Sequence, residues 1–138
     1  MLANRSMPRA AVIPELAYPE VGAAVDWLCA AFGFTPRLTI GDHRAQLNVG
    51  DGALVVTKAR GTLAKGDRVH GVMVRVADVD AHHAHAKAHG AWIVGPPSDH
   101  AYGERQYVAV DLAGHVWTFS QSIADVDPAD WGGVAGEL

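Results

Sequence analysis

The chain has 138 residues, 49% of them hydrophobic and 19% charged, with a formal net charge of −4. That length fits one domain and that composition a compact globular one, which excludes a disordered or fibrous chain. Eleven Lys and Arg residues are spread along the sequence without a basic patch, so no nucleic-acid partner is expected.

The first 20 residues are broken by Pro8, Pro14 and Pro19 and hold no long apolar stretch, so neither a signal peptide nor a membrane span is expected. AAVIPELAY, residues 10 to 18, reads as an edge or bulged strand whose ladder Pro14 limits. Pro19 and Glu20 open a helix in which Val21, Ala24, Val25, Leu28 and Phe32 recur at helical spacing until Gly33 stops it. FTPRLTI, HRAQLNV and ALVVTKA follow as three short strands joined by tight Gly-Asp turns. The single Cys29, inside AAVDWLCAAFGF, excludes an internal disulfide and fits a reduced thiol in the cytoplasm.

The same order then returns. HGVMVRVA is a strand, Asp78 a helix N-cap, DVDAHHAHAKAH a helix ended by Gly90, and AWIV, RQYVAVD and HVWTFSQ are strands. Glu20 pairs with Asp78 and Gly33 with Gly90 at nearly one offset, the mark of an internal repeat. The expected fold class is α+β, two βαβββ modules (10–58 and 69–121) forming a curved mixed sheet with a concave cup and helices outside. Residues 122–138 are an acidic, Gly-rich tail in which Trp131 packs on the domain or on a partner.

The paired modules, with AFGF after the first helix and YGERQYVAVDLAGHVWTF in the second, resemble the vicinal oxygen chelate superfamily, which includes glyoxalase I, extradiol dioxygenases and the bleomycin-resistance proteins. The resemblance covers residues 10 to 121. It implies that metal-dependent members take their ligands from inward-facing strand positions, which map here to Ile13, Val56, Gly71 and Thr118. Ile and Val offer no lone pair, Gly no side chain and Thr a weak neutral oxygen, so this set does not hold a divalent ion. A slip of one residue rescues only His70, whose side chain would then point to the opposite sheet face. The resemblance therefore favours the metal-free branch, with no metal and no cofactor, a small-molecule ligand and a homodimer.

Half of the eight histidines crowd into AHHAHAKAHG. On a helix His82, His85 and His89 fall within about 60° of one another, as a metal grip would need. The inward stripe of that helix is expected to be Val79, His83, Ala86 and Gly90, which leaves the other three flanking it toward solvent.

The resemblance places the strand after YGERQY near the cavity mouth, so Tyr102, Arg105 and Tyr107 are ligand-binding candidates together with Thr118, Ile13 and Val56. The competing expectation is that Arg105 pairs with Asp111 or Glu104 while the tyrosines pack. No catalytic residue is identified. There is no GxSxG, P-loop or GxGxxG motif. The leading expectation is a protein that binds a small organic molecule in its cup without a metal. Two alternatives remain open. One is a metal-dependent lyase, isomerase or dioxygenase assembled from His43, His70 or His115 with Glu15 or Glu104; the other is a module that docks through Trp131 and the tail.

Overall fold

The computed structural model describes residues 3–59 and 71–136. His70, and the expected start of the second module at residue 69, lie outside the described residues. The first module comprises β1 (Glu15–Tyr18), α1 (Val21–Phe32), β2 (Thr35–Ile40), β3 (Arg44–Val49) and β4 (Gly52–Lys58). The second repeats the order with β5 (Val72–Arg75), α2 (Val79–Ala88), β6 (Trp92–His100), β7 (Glu104–Val110) and β8 (Val116–Ser122), followed by a short 3-10 turn, Pro128–Trp131. The expected α+β fold of two βαβββ modules is present. Each module builds its own mixed four-stranded sheet, in the orders β1-β4-β3-β2 and β5-β8-β7-β6. The parallel pairs β1-β4 and β5-β8 put β1 and β5 at sheet edges.

Local sequence explains the elements. Val21, Ala24, Leu28, Ala31 and Phe32 are the buried stripe of α1, and Gly33 ends it in the left-handed conformation (φ 79°), where a side chain would be strained. Asp78 caps α2 by accepting from the Ala81 N–H at 3.1 Å, and the Gln121 side chain accepts from the Val79 N–H. β6 runs straight through Gly95-Pro96-Pro97, a stretch whose composition marks a break. It is tolerated because β6 is an edge strand with register shifts there, so missing N–H groups cost no ladder bond.

Alternation divides each sheet into a helix-side face and an open face. On the helix side lie Leu16, Tyr18, Ala45, Leu47, Leu54 and Val56 in the first module and Tyr107, Ala109, Trp117 and Phe119 in the second, all in one continuous core. Phe32, at the end of α1, reaches across to Phe119 (ring centroids 4.8 Å apart) and Trp117 (5.5 Å). The helix-bearing faces of the two modules are thus packed on each other, and α1 touches α2.

Polar groups lock this junction. The buried Asp111 carboxylate accepts from Tyr18 Oη at 2.6 Å, from Trp117 Nε1 at 3.0 Å, and from the N–H groups of Ala113 and His115. His115 Nε2 donates to the Ala17 carbonyl at 2.6 Å. Burial and the adjacent Asp111 charge push the Tyr18 phenol far above its ordinary range, so it serves as a donor and not as an acid.

The histidine helix belongs to the same junction. His85 Nε2 donates to the Ala30 carbonyl at 2.8 Å and His82 Nε2 to the Phe32 carbonyl at 3.1 Å. These are carbonyls of the last turn of α1, which have no partner within their own helix. His82 Nδ1 in turn accepts from Tyr107 Oη at 2.5 Å, and its ring lies 4.2 Å from Phe119. His82 is therefore an inward residue, contrary to the expected stripe, and His83 sits half-buried with its ring against the edge of Tyr107. The α1 carbonyls that orient these rings are about fifty residues away in sequence, so helical spacing alone does not reveal them.

Two outcomes follow for stability. Asp111→Ala strands the buried donors of Tyr18 and Trp117 and is expected to cost about 2–5 kcal/mol, read as a lower denaturant midpoint; a loss within experimental error would show that the junction is held by packing alone. Burial lowers the His82 pKa from its ordinary 6.5, so the folded state binds its proton less well than the unfolded one. Stability from this group is complete above pH 6.5 and falls as the pH drops below it. His82→Gln should flatten that part of the melting-temperature profile between pH 8 and 5, and an unchanged slope would exclude His82 as its source.

Candidate functional site

With their other faces sealed, the two sheets present open faces. In the first module strand pairing sets Glu15, Val55 and Gln46 in one row and Ala17, Thr57 and Arg44 in the next. Arg44 pairs with Glu15 at 2.5 Å. In the second module Met73, Thr118 and Val108 form one row and Arg75, Ser120 and Gln106 the next.

The second open face carries a directed hydrogen-bond chain. Tyr102 Oη donates to Gln106 Oε1 at 3.0 Å, Gln106 Nε2 to Ser120 Oγ at 3.0 Å, and Ser120 Oγ to Glu104 Oε1 at 2.7 Å. Hydroxyls of Ser122 and Ser120, with Arg75 nearby, hold the Glu104 carboxyl below its ordinary 4.5, so it remains ionised at neutral pH. Beside this chain an aromatic wall rises, with His100 stacked on Tyr102 at 5.1 Å and Trp131 against the same ring at 5.4 Å. A cleft of about 530 Å³ adjoins the face between β5 and the β3–β4 turn, bounded by Met73, Arg75, Asp51 and Val12. Such a surface can stack an aromatic body and satisfy polar groups at its rim.

The sequence-derived candidates are distributed unequally. Tyr102 and Thr118 lie on the second open face. Ile13 is half-buried just before β1, and Gly71 just before β5. Val56, expected in the cup, faces the core instead. Mapping Val56 onto Thr118 assumes equal turns, but the β3–β4 turn leaves two residues unpaired and the β7–β8 turn five (111–115). That difference flips the face. The position that strand pairing matches to Thr118 is Val55, opposite Glu15 as Thr118 is opposite Met73. Tyr107 is also in the core, against His82, and burial raises its phenol pKa. Arg105, on the same side, pairs with Asp80 of α2 at 3.0 Å and with Asp99 at 2.9 Å, not with Asp111 or Glu104. Sequence alternation groups Arg105 with Tyr107 correctly, yet period two does not say which side is open.

A metal centre fits this face poorly. The four equivalent strand positions, Glu15 paired with Val55 in the first module and Met73 with Thr118 in the second, offer one carboxylate, already salt-bridged, one thioether and one hydroxyl, whereas a divalent ion needs several imidazoles or carboxylates. Among the described residues no three His, Cys, Asp or Glu side chains cluster to hold an ion. His43 is exposed in the β2–β3 turn and His115 is bonded within the module junction, apart from Glu15 and Glu104 on the two open faces. Gln106, Ser120 and Arg75 were not singled out from sequence. Their signal is the row they share with one another, visible only once β5, β7 and β8 are in register.

Gly103 fixes the tail at this face. Its carbonyl accepts from the Ile123 and Ala124 N–H groups, and at φ 81° an added Cβ would lie 2.4 Å from the Ala124 carbonyl oxygen. Gly103→Ala should therefore release the tail and withdraw Trp131 from Tyr102. The expected readout is a red-shifted Trp131 emission in a background with Trp27, Trp92 and Trp117 replaced by Phe; an unshifted spectrum would mean that the tail is held elsewhere.

The comparisons agree with this architecture. The family model described as Glyoxalase/Bleomycin resistance protein/Dioxygenase superfamily matches residues 10–119. Among solved structures, TioX from Micromonospora sp. ML1 is 36% identical, covering 86% of this chain and 100% of TioX with a TM-score of 0.68. A glyoxalase/bleomycin resistance protein/dioxygenase from Alicyclobacillus acidocaldarius (13% identity, 86% and 95% covered, TM-score 0.69) has the same fold. So does the fosfomycin resistance protein FosX of Listeria monocytogenes (12% identity, 83% and 94% covered, TM-score 0.67). No curated protein matches the sequence.

Proposed function

The chain belongs to the Glyoxalase/Bleomycin resistance protein/Dioxygenase superfamily, and from that membership we propose that it binds a small organic molecule on its open sheet faces without enlisting a metal ion. One observation carries this: the strand positions Glu15, Val55, Met73 and Thr118 lack the donor set for an ion, while the neighbouring rows retain an ordered polar chain and an aromatic wall. Tyr102 and Thr118 are the proposed ligand contacts, joined by Gln106, Ser120 and the ionised Glu104, with Trp131 as a flank. Ile13 borders the first open face.

A homodimer is part of the proposal. The open faces of one chain do not face each other, and β1 and β5 are edge strands with exposed apolar neighbours, Val12 at 82% and Met73 at 65% exposure. Setting the β1 edge of one copy beside the β5 edge of another would join the sheets into a curved surface with both open faces inside. Among the described residues no helix is long and apolar enough to cross a membrane, and a cytoplasmic setting suits the free Cys29.

The test combines metal content with ligand response. After dialysis against Zn²⁺, Ni²⁺, Mn²⁺ and Fe²⁺, the protein is expected to hold no stoichiometric ion at the cup; metal that survives His85→Ala/His89→Ala but is lost with Glu15→Ala would overturn the proposal. In a thermal-shift screen of aromatic, thiol-conjugate and amide-bearing compounds, any stabilising compound should bind about five- to tenfold more weakly to Tyr102→Phe, the loss of one hydrogen bond. Sedimentation of the apo protein as a monomer at micromolar concentration would remove the dimer from the proposal.

A further inference from the structure

The N-terminal arm, residues 3–9, lies against the open face of the first sheet. A register shift between Pro36 and Leu38 marks a bulge at Arg37, which places that guanidinium beside Gln46 in the Glu15–Val55–Gln46 row. Arg37 donates to Gln46 Oε1 at 2.6 Å and to the backbone carbonyls of Arg5 (3.0 Å) and Met7 (2.9 Å). Gln46 Nε2 donates to the carbonyl between them, that of Ser6, at 2.9 Å. Three consecutive backbone carbonyls are therefore read by two side chains that are themselves bonded to each other. Beneath this grip Gln46 is only 3% exposed.

The arm gives little else to the fold. No described residue before Leu16 belongs to the buried core, Met7 is 46% exposed, and a cavity of about 640 Å³ is left among residues 3–5, 7–11 and Arg37. A segment that only sealed the sheet would bury apolar side chains; this one presents the carbonyls of a turn, closed by the Met7 N–H donating to the Asn4 carbonyl at 3.2 Å and the Ser6 N–H to Asn4 Oδ1 at 3.0 Å, to two fixed donors.

We propose that Arg37 and Gln46 form a receptor for a run of amide carbonyls, filled in cis by residues 5–7, and that a guest with consecutive amide carbonyls reaches the first open face by displacing the arm. This rests on the binding function proposed above and names its ligand class, a peptide-like amide chain. The arm then sets a threshold that such a guest must exceed, because a site occupied in cis lowers apparent affinity by the fraction that is free.

The test follows the Gln46 side-chain NH₂ resonances in ¹⁵N-labelled full chain and in a chain lacking residues 1–9, with a capped peptide of residues 3–9 as the probe. Removal of the arm is expected to shift the Gln46 pair. The probe at millimolar concentration should return it to the full-chain position, with at most a weak response from the intact chain. Arg37→Met in the shortened chain should weaken probe binding at least about tenfold. The proposal is overturned if the Gln46 pair is the same with and without the arm, if the probe leaves it unmoved, if intact and shortened chains respond equally, or if Arg37→Met binds as before. Because the probe is this chain's own sequence, its binding does not depend on finding the natural ligand, and a metal-loaded cup would sink the proposed function while leaving this result readable.

Discussion

One buried carboxylate organises the molecule. Asp111 sits in the β7–β8 turn in no ion pair among the described residues and accepts from O–H and N–H donors, one of which, Tyr18, comes from the other half of the chain. A buried charge supported in this way tolerates little displacement, since each lost donor leaves a desolvated oxygen behind. The turn is consequently fixed against β1, and the aromatic layer of Phe32, Trp117 and Phe119 closes beneath it. With the helix-bearing faces committed to each other, the opposite faces of the two sheets remain open.

Those faces differ in character. On the first, charge and polarity are internally neutralised, Glu15 by Arg44 and Gln46 by Arg37 and the arm. On the second, the donor–acceptor chain ends in the ionised carboxylate of Glu104 next to exposed aromatic rings. In the proposed dimer, a guest spanning both would meet the Arg37–Gln46 pair on one side and the Tyr102 aromatic wall on the other. The scaffold is shared with proteins whose sequence identity to this chain is as low as 12%, so what distinguishes it must be sought in these side chains and not in the fold.

Much of the architecture could be read from residue order. Gly33, Asp78 and the repeat of helix and strand periods locate both modules, and each acts through local backbone chemistry that needs no distant partner. The site was less legible. Thr118 and Val56 are both expected on the cup side, yet Val56 faces the core, because hairpin loops of unequal length break the correspondence between modules. Arg105 and Tyr107 share a side, as alternation requires, yet only the position of α2 makes it the covered one. Helical spacing turns His82 toward solvent because it carries no trace of the α1 carbonyls that lie within its reach.

The exchange of donors between helix ends is reciprocal. His82 and His85 of α2 serve the terminal carbonyls of α1, and the Trp27 indole N–H of α1 serves the His89 carbonyl just beyond α2 at 3.0 Å. Each half of the repeat therefore completes the other's helix with side chains that its own segment does not supply. However similar their outlines, the halves are not interchangeable parts. A chain with two copies of the first half would lose both histidine donors, and one with two copies of the second would lose the indole, so neither half can stand in for the other at the level of these hydrogen bonds.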